Sequence, residues 1–479
     1  MTASPGNLDI QTPATAVDGS IPPGLFGKSY LLNGPGRLGY GESLAHPFDG
    51  HGYLRSFRFH TDGSVSVKAR FIETDVFRVE EKAQRIVVPG IGTLASPGPK
   101  IADAPGVRNV ANTTVLPFAD KLLCGWEGGM PWAVEPDTLR TLGPETFGDA
   151  LQTGATLAHF RYDAALSRLV TLSPALGRQT QLTFREFDES GRLQVERSAH
   201  IDGMLFAHDF VMTTNWYILA RNPLRIDIWA FVKAQLGTGT LLDAIASDPS
   251  LYGELVFIPR KGKGVVQART IRAPRPIFAI HFANAFEAGD EVLVDVCAFE
   301  EVTFGNEFGY LGPLATYLDP GIPDERVPQR LVRVAAKPST GEASVRQMAA
   351  HAIDFPGVDS RFSGQDASFA LGATRVDLRH SDPFDAVASI DLHDEERPES
   401  IWAPGDGRYV GEPVFFPDDE RDDPRAGHVV TIVYDGKNER SSLVILDNQN
   451  IDAGPVATLT LPLLPYGFHG FAMRDARNA

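Results

Sequence analysis

Only two cysteines, Cys124 and Cys297, occur in 479 residues. No disulfide framework can hold such a chain, and a reducing compartment is expected. Positive charge is also short. Lys and Arg number 44 against 61 Asp and Glu, a formal net charge of −17. Phosphate recognition needs clustered cations, so a nucleic-acid partner is not expected. The one short basic run, Arg260, Lys261, Gly262 and Lys263, reads as a solvated loop. No stretch approaches the ~18–20 apolar residues of a membrane-spanning helix. MTASPGNLDI lacks the basic and then apolar pattern of a secretory signal, so the expected location is cytoplasmic. No repeat of fixed period is present, so spacing alone announces neither a solenoid nor a propeller. A GxSxG elbow is missing too, and both cysteines lie in apolar runs where this residue acts as a small hydrophobe; a nucleophilic hydrolase is poorly supported.

What is abundant is turn chemistry around short apolar runs. Glycine occurs 46 times and proline 35 times in a chain that is 43% hydrophobic. Runs such as SVSVKARFIE, EVLVDVCAFE, HVVTIVYDG and SSLVILDNQN recur almost to the end, several with the alternation of a sheet buried on one face. The chain reads as one all-β domain over residues 1–479, a closed barrel or propeller, because closure protects strand edges. Leu224 to Ala246 is the exception, with apolar residues at near-helical spacing that predict one or two short helices. Gly34, Gly36 and Gly39 match GxGxxG, but more glycine and a proline follow where a Rossmann helix should open. Asn112-Thr113-Thr114 is a glycosylation sequon by pattern only.

Four histidines lie far apart in apolar surroundings: His159 in TLAHFRYD, His208 in FAHDFVMT, His281 in FAIHFANAFE and His469 in LPYGFHGF. Neutral imidazole suits iron, zinc, copper or nickel. A buried ring without a hydrogen bond or a metal costs on the order of 1–3 kcal/mol. Taken singly, each is better read as a satisfied core residue. No local metal motif has such spacings.

Together these segments resemble the carotenoid cleavage oxygenase family, which includes apocarotenoid cleavers, lignostilbene dioxygenases and the retinoid isomerase of the eye. The likeness begins at HPFDGHGYLRSFRFH, continues through NTTVLPFADKLLCGWEGGMPWAVEPDTLRTLG, AHDFVMTTNWYIL and HFANAFEAGDEVLVDVCAFE, and closes at GEPVFFP and LPYGFHGF. It implies a seven-bladed β-propeller with a few short helices and loops capping the metal face. One Fe(2+) per chain would be bound by His159, His208, His281 and His469, with O2 as co-substrate and no organic cofactor. It also implies carboxylates that hold the second ring nitrogens: Glu127 for His208, Asp354 for His281 and Glu412 for His469. Such partners fix the tautomer and aim the ligand. Thr113 matches a position beside an open iron site.

Two departures stand out. The family usually has Glu where Asp354 stands, so this shorter side chain is expected to reach His281 less directly or through water. FDGHGY carries His51 and Tyr53 where the family commonly has Asp and Met, and His51 reads as a structural or tunnel residue. The implied reaction is oxidative scission of a conjugated C=C bond into two carbonyl products. Phenol-cleaving members often carry Lys immediately before the residue matched by Glu127; here that residue is Trp126, which favours a carotenoid or apocarotenoid. The alternative is a phenylpropanoid or stilbene side chain, such as isoeugenol, 4-vinylguaiacol or lignostilbene, cleaved to a benzaldehyde such as vanillin, with Tyr53 or His51 as the phenol clamp. Met130 and Phe282 complete the expected tunnel. The partner is thus a small apolar or aromatic alkene, with at most peripheral membrane contact through residues 224–242.

Overall fold

Apolar runs of five to ten residues between turns pair with their chain neighbours, and in the computed structural model they form seven sheets around an axis. The structure describes residues 5–41, 43–151, 155–300, 302, 310–311, 316–317, 329–376, 383–394 and 399–474. The fold is a seven-bladed β-propeller. Blade two runs from Thr114–Phe118 to Thr141–Pro144, blade three from Arg161–Asp163 to Leu193–Asp202, and blade four from Phe210–Met212 to Arg269–Arg272. Blade five runs from Phe278–Ala288 to Glu342–Gln347 and blade six from Ile353–Gly357 to Glu399–Trp402. Blade seven, from Val414–Pro417 to Pro455–Pro462, takes Val17–Gly19 as an outer strand. Blade one closes the ring from both ends of the chain: Gly470–Arg474 pairs antiparallel with Lys28–Leu32, followed outward by His51–Phe59, Val65–Phe71 and Leu8–Thr12.

Each pair of adjacent blades encloses its own apolar cluster. Strand Gly427–Asp435 shows why. Val429 and Val433 enter the interface with blade six, whereas Val430, Ile432 and Tyr434 enter the interface with blade one. Successive side chains point to opposite faces, and in a propeller both faces are interfaces. The reading of one buried face is therefore corrected: inner strands are apolar on both sides because each sheet is sandwiched.

The basic run is corrected as well. Lys261 to Gly264 are exposed, but Arg260 is buried. Its guanidinium lies 2.9 Å from Asp163 Oδ2 and 2.8 Å from Glu186 Oε1, tying blade four to blade three. The sequon is structural, since buried Asn112 donates to the carbonyls of Phe48 and Gly50. Residues 224–247 form strand Leu224–Ile226, helix Ile228–Gln235, a single turn at Leu242–Ala244 and strand Ile245–Ser247. Among the described residues no helix is long and apolar enough to cross a membrane.

Replacing Arg260 by Leu leaves buried Asp163 without its cation and buried Glu186 with Arg168 alone. A loss of about 3–5 kcal/mol is expected, seen as a clear fall in the calorimetric melting midpoint; an unchanged midpoint would show that the pair does not hold the blades.

Candidate metal centre

The innermost strands of neighbouring blades touch around the axis. Each carries one distinctive residue at or just beside its first positions: Thr113, His159, His208, His281, Asp354, Glu412 and His469. Seven strand ends thus deliver four imidazoles, two carboxyls and a hydroxyl to one end of the axis. The four imidazoles offer ligand atoms that all lie within 4.8 Å of one another.

Their outer nitrogens are held. His208 Nδ1 lies 2.5 Å from Glu127 Oε2, His281 Nδ1 2.6 Å from Asp354 Oδ1, and His469 Nδ1 2.9 Å from Glu412 Oε1. The direct contact of Asp354 with His281 corrects the expectation of a longer or water-mediated link. The strand itself accounts for the reach: its register breaks between Asp354 and Gly357, and Phe355 adopts φ 50°. A left-handed bulky residue stores about 1–3 kcal/mol of strain. Here Phe355 stacks on His281 at 5.4 Å and packs against His469 at 5.3 Å.

His159 differs. Its Nδ1 is 3.8 Å from Asp209, beyond hydrogen-bond range. Asp209 is already committed to Arg161 at 2.5 Å and to the backbone N–H groups of Phe210 and Phe282. Sequence reasoning passed over this Arg161–Asp209 pin, although Asp209 directly follows His208 in the HDF segment. It links blades three, four and five, which carry three of the four histidines.

Burial and the neighbouring charges together set the protonation of the rings. It holds His159 well below its ordinary range, reinforced by the neighbouring imidazoles, and drives His469 down to about 3, with His208 adding to the effect. His281 is lowered by burial that Asp354 only partly offsets. For His208, burial pulls down but the charge and hydrogen bond of Glu127 prevail, so its pKa is raised. Burial raises Glu412 to about 8, whereas in Asp354 the same desolvation is outweighed by His281 and the Phe355 N–H.

These features fit a metal ion. His208, which gives its Nδ1 proton to Glu127, carries a lone pair on Nε2, and this atom faces the Nε2 of His159 at 3.2 Å. A cation placed among the rings would take that lone pair together with one from His159 in the tautomer that turns its own Nε2 lone pair inward. Four neutral nitrogen donors suit a borderline transition metal.

Two cavities meet the centre, and both touch His281 and His469. One, of about 210 Å³, is lined with polar groups including Arg161, Asp209, Glu412 and Ser360. The other, of about 220 Å³, has an apolar wall that includes Trp126, Phe278, Phe355, Phe468 and Leu242, with Thr113 and Glu127 beside the rings. Thr113 donates its hydroxyl proton to Asn112 Oδ1 at 3.0 Å.

Four of the expected tunnel residues lie elsewhere. His51 and Tyr53 belong to the third strand of blade one, away from the axis. His51 Nε2 meets buried Glu80 at 3.0 Å, and the Tyr53 hydroxyl donates to the Gly6 carbonyl at 2.6 Å. Met130 shares a loop with Glu127, but the left-handed turn at Gly128 sends it to the interface of blades two and three. Phe282 packs between blades four and five and borders the polar cavity, because alternation turns it away from the side faced by His281. Phe355, Phe468 and Leu242 were missed; only neighbouring motif residues could have hinted at the first two.

The family model described as retinal pigment epithelial membrane protein matches residues 4–471. Carotenoid cleavage dioxygenase 7 of Oryza sativa subsp. japonica is 32% identical over 96% of this chain and 88% of its own length. Apocarotenoid-15,15'-oxygenase of Synechocystis sp. is 30% identical over 95% and 91%, and isoeugenol monooxygenase of Pseudomonas nitroreducens 27% identical over 98% and 96%. The crystal structure of cobalt-substituted Synechocystis ACO superposes with a TM-score of 0.87 at 27% identity, covering 99% of this chain and 97% of that one. A likeness that runs through the whole ring of blades, and not through the histidine cluster alone, places this chain in the carotenoid oxygenase family as an alkene-cleaving oxygenase.

Proposed function

We propose that His159, His208, His281 and His469 bind one Fe(2+), and that the enzyme uses O2 to split one conjugated C=C bond of a carotenoid or apocarotenoid into two carbonyl products. The observation that carries the substrate reading is the wall of the apolar cavity. It ends on His208, His281 and His469, and among the described residues it contains no Lys, Arg or Tyr. A phenolate has no cationic clamp there, and the two candidates for a phenol contact, Tyr53 and His51, lie outside it. A polyene needs only dispersion and shape, which Trp126 and Phe355 supply.

Iron(II) held by neutral imidazoles supplies the activation of dioxygen that a spin-forbidden reaction with an alkene requires. The protein's work is positional. Glu127, Asp354 and Glu412 hold the Nδ1 sides of three rings, which keeps their Nε2 lone pairs inward. The aromatic wall orients one double bond and excludes water. Thr113 narrows the space beside the rings. The bond breaks between the two alkene carbons, and each carbon gains one oxygen atom; no organic reductant enters.

Cleavage of a phenylpropanoid or stilbene side chain remains the second reading, supported by the likeness to isoeugenol monooxygenase over nearly the full chain. Both cysteines are free and buried, which supports a cytoplasmic setting. Helix Ile228–Gln235 is 61% exposed at Ile228 and 77% at Trp229, and Leu236 follows at 72%. This apolar stripe, continuous with the segment that lines the cavity, supports peripheral contact with a membrane holding the substrate.

Metal analysis should find about one iron per chain, since the four imidazoles form one donor set, and His281→Ala or His469→Ala should lose both iron and turnover while keeping the β-sheet circular dichroism. Turnover retained in either variant would refute the ligand assignment. In a panel of apocarotenals, isoeugenol, 4-vinylguaiacol and hydroxystilbenes under air, mass spectrometry should detect aldehydes from the apocarotenals most efficiently; preference for a propenylphenol would move the assignment to the second reading. Trp229→Glu should weaken binding to neutral phospholipid vesicles while leaving turnover of detergent-dispersed substrate intact. Membrane retention that survives an alkaline carbonate wash would contradict the peripheral mode.

A further inference from the structure

The FDGHG segment, Phe48 to Gly52, does not reach the histidines, yet it holds two buried acids to a neighbouring loop. Asp49 is fully buried. Its Oδ1 accepts the Ile91 N–H at 2.9 Å, and its Oδ2 accepts the Gly92 N–H at 2.9 Å and the Thr93 hydroxyl at 2.7 Å. Thr93 Oγ1 in turn accepts the His46 N–H at 2.8 Å. Glu80, also fully buried, accepts the N–H groups of Val87 and Val88, the guanidinium of Arg108 and a contact from His51. Arg108 spans the two acids, donating also to the carbonyls of Asp49 and Val88. The loop from Val87 to Thr93 thus gives four backbone N–H groups and one hydroxyl to two carboxyl groups, and such charge-assisted bonds in a buried place are strong.

That loop forms part of the apolar cavity through Ile91. The Ile91 carbonyl accepts the N–H of Leu242 at 3.0 Å, and Leu242 and Ile245 line the same cavity from the segment bearing the exposed helix. The two sides of this contact are unequal. One is anchored at both buried acids; the other belongs to a segment whose helix stands largely in solvent. Close approach is built in at Gly92, where a Cβ would come within 2.8 Å of the His46 ring and 2.9 Å of Leu242 Cδ1.

Resting on the alkene-cleaving reading above, we propose that Asp49 and Thr93 are positioning residues for substrate binding: they make the 87–93 loop the fixed wall against which the 224–245 segment closes over the alkene. Neither residue touches the histidines. They act on the substrate through Ile91 and Leu242, so their removal alters how the alkene is held and not how the metal is held. The role also accounts for His51, which supports the 87–93 loop through Glu80 instead of lining the cavity.

The test uses the full-length, iron-loaded protein. Thr93→Val keeps the side-chain shape but deletes the hydroxyl that joins Asp49 to His46; Thr93→Ser restores it. With an apocarotenal that the wild type cleaves, Thr93→Val should raise KM about fivefold, the lower end of the scale for the two buried hydrogen bonds lost, with kcat and iron content unchanged. Hydrogen–deuterium exchange should quicken in peptides covering 224–245, and Thr93→Ser should return both readouts to wild type. Unaltered KM and exchange in Thr93→Val, failure of Thr93→Ser to restore them, or a fall in kcat or iron at constant KM would each overturn the proposal. Should the wild type cleave no apocarotenal, the substrate reading fails by itself, and the exchange measurement, which needs no substrate, still decides whether the loop restrains the segment.

Discussion

Sheets that share one axis must bring their innermost strands into contact, and this crowding is the constraint from which the centre follows. Strand ends that would be separate features of separate sheets become neighbours. His159, His208, His281 and His469 come from blades three, four and five and from the closing strand of blade one, yet their nitrogen atoms fall within 4.8 Å. The ring holds because each sheet is packed on both faces, and because the first and last parts of the chain pair in blade one.

Crowding polar groups into an apolar axis raises a cost that the structure meets locally. Burial would leave three imidazole N–H groups unsatisfied; Glu127, Asp354 and Glu412 accept them. The fourth ring stands beside Asp209, whose charge is spent on Arg161 and on two backbone N–H groups. Three of the rings are thus oriented by carboxyl groups and one is positioned mainly by its strand. The same ring of histidines lies between a polar cavity, which reaches Arg161, Asp209 and Glu412, and a mainly apolar one, which reaches Glu127.

The all-β class was legible because short apolar runs between turns leave a local imprint, and the histidines were legible because their flanking motifs are contiguous words in the sequence. Residues whose roles depend on packing were not. His51 and Tyr53 sit two and four residues from Asp49, yet the strand order of blade one carries both from the axis, His51 to buried Glu80 and Tyr53 to Phe71 and the Gly6 carbonyl. Met130 is three residues from Glu127 and is turned away by one left-handed glycine. Arg260 looked solvated because its three neighbours are, while its partners Asp163 and Glu186 lie about 100 and 75 positions earlier, beyond any local pattern. Asp354 reaches His281 through a backbone bulge at Phe355 that no side-chain pattern encodes.

By itself, the sequence determined the strand-rich class, the negative charge, the lack of a disulfide framework and the set of residues able to ligate a metal, since these depend on composition and on neighbours along the chain. The pairing of carboxyl groups with rings was already implied by the family resemblance; only the tertiary structure decided how Asp354 reaches His281 directly and which side chains form the apolar wall. Those choices are set by sheet order and by the register of strands hundreds of residues apart, where a shift of one position turns a side chain from the axis into an interface.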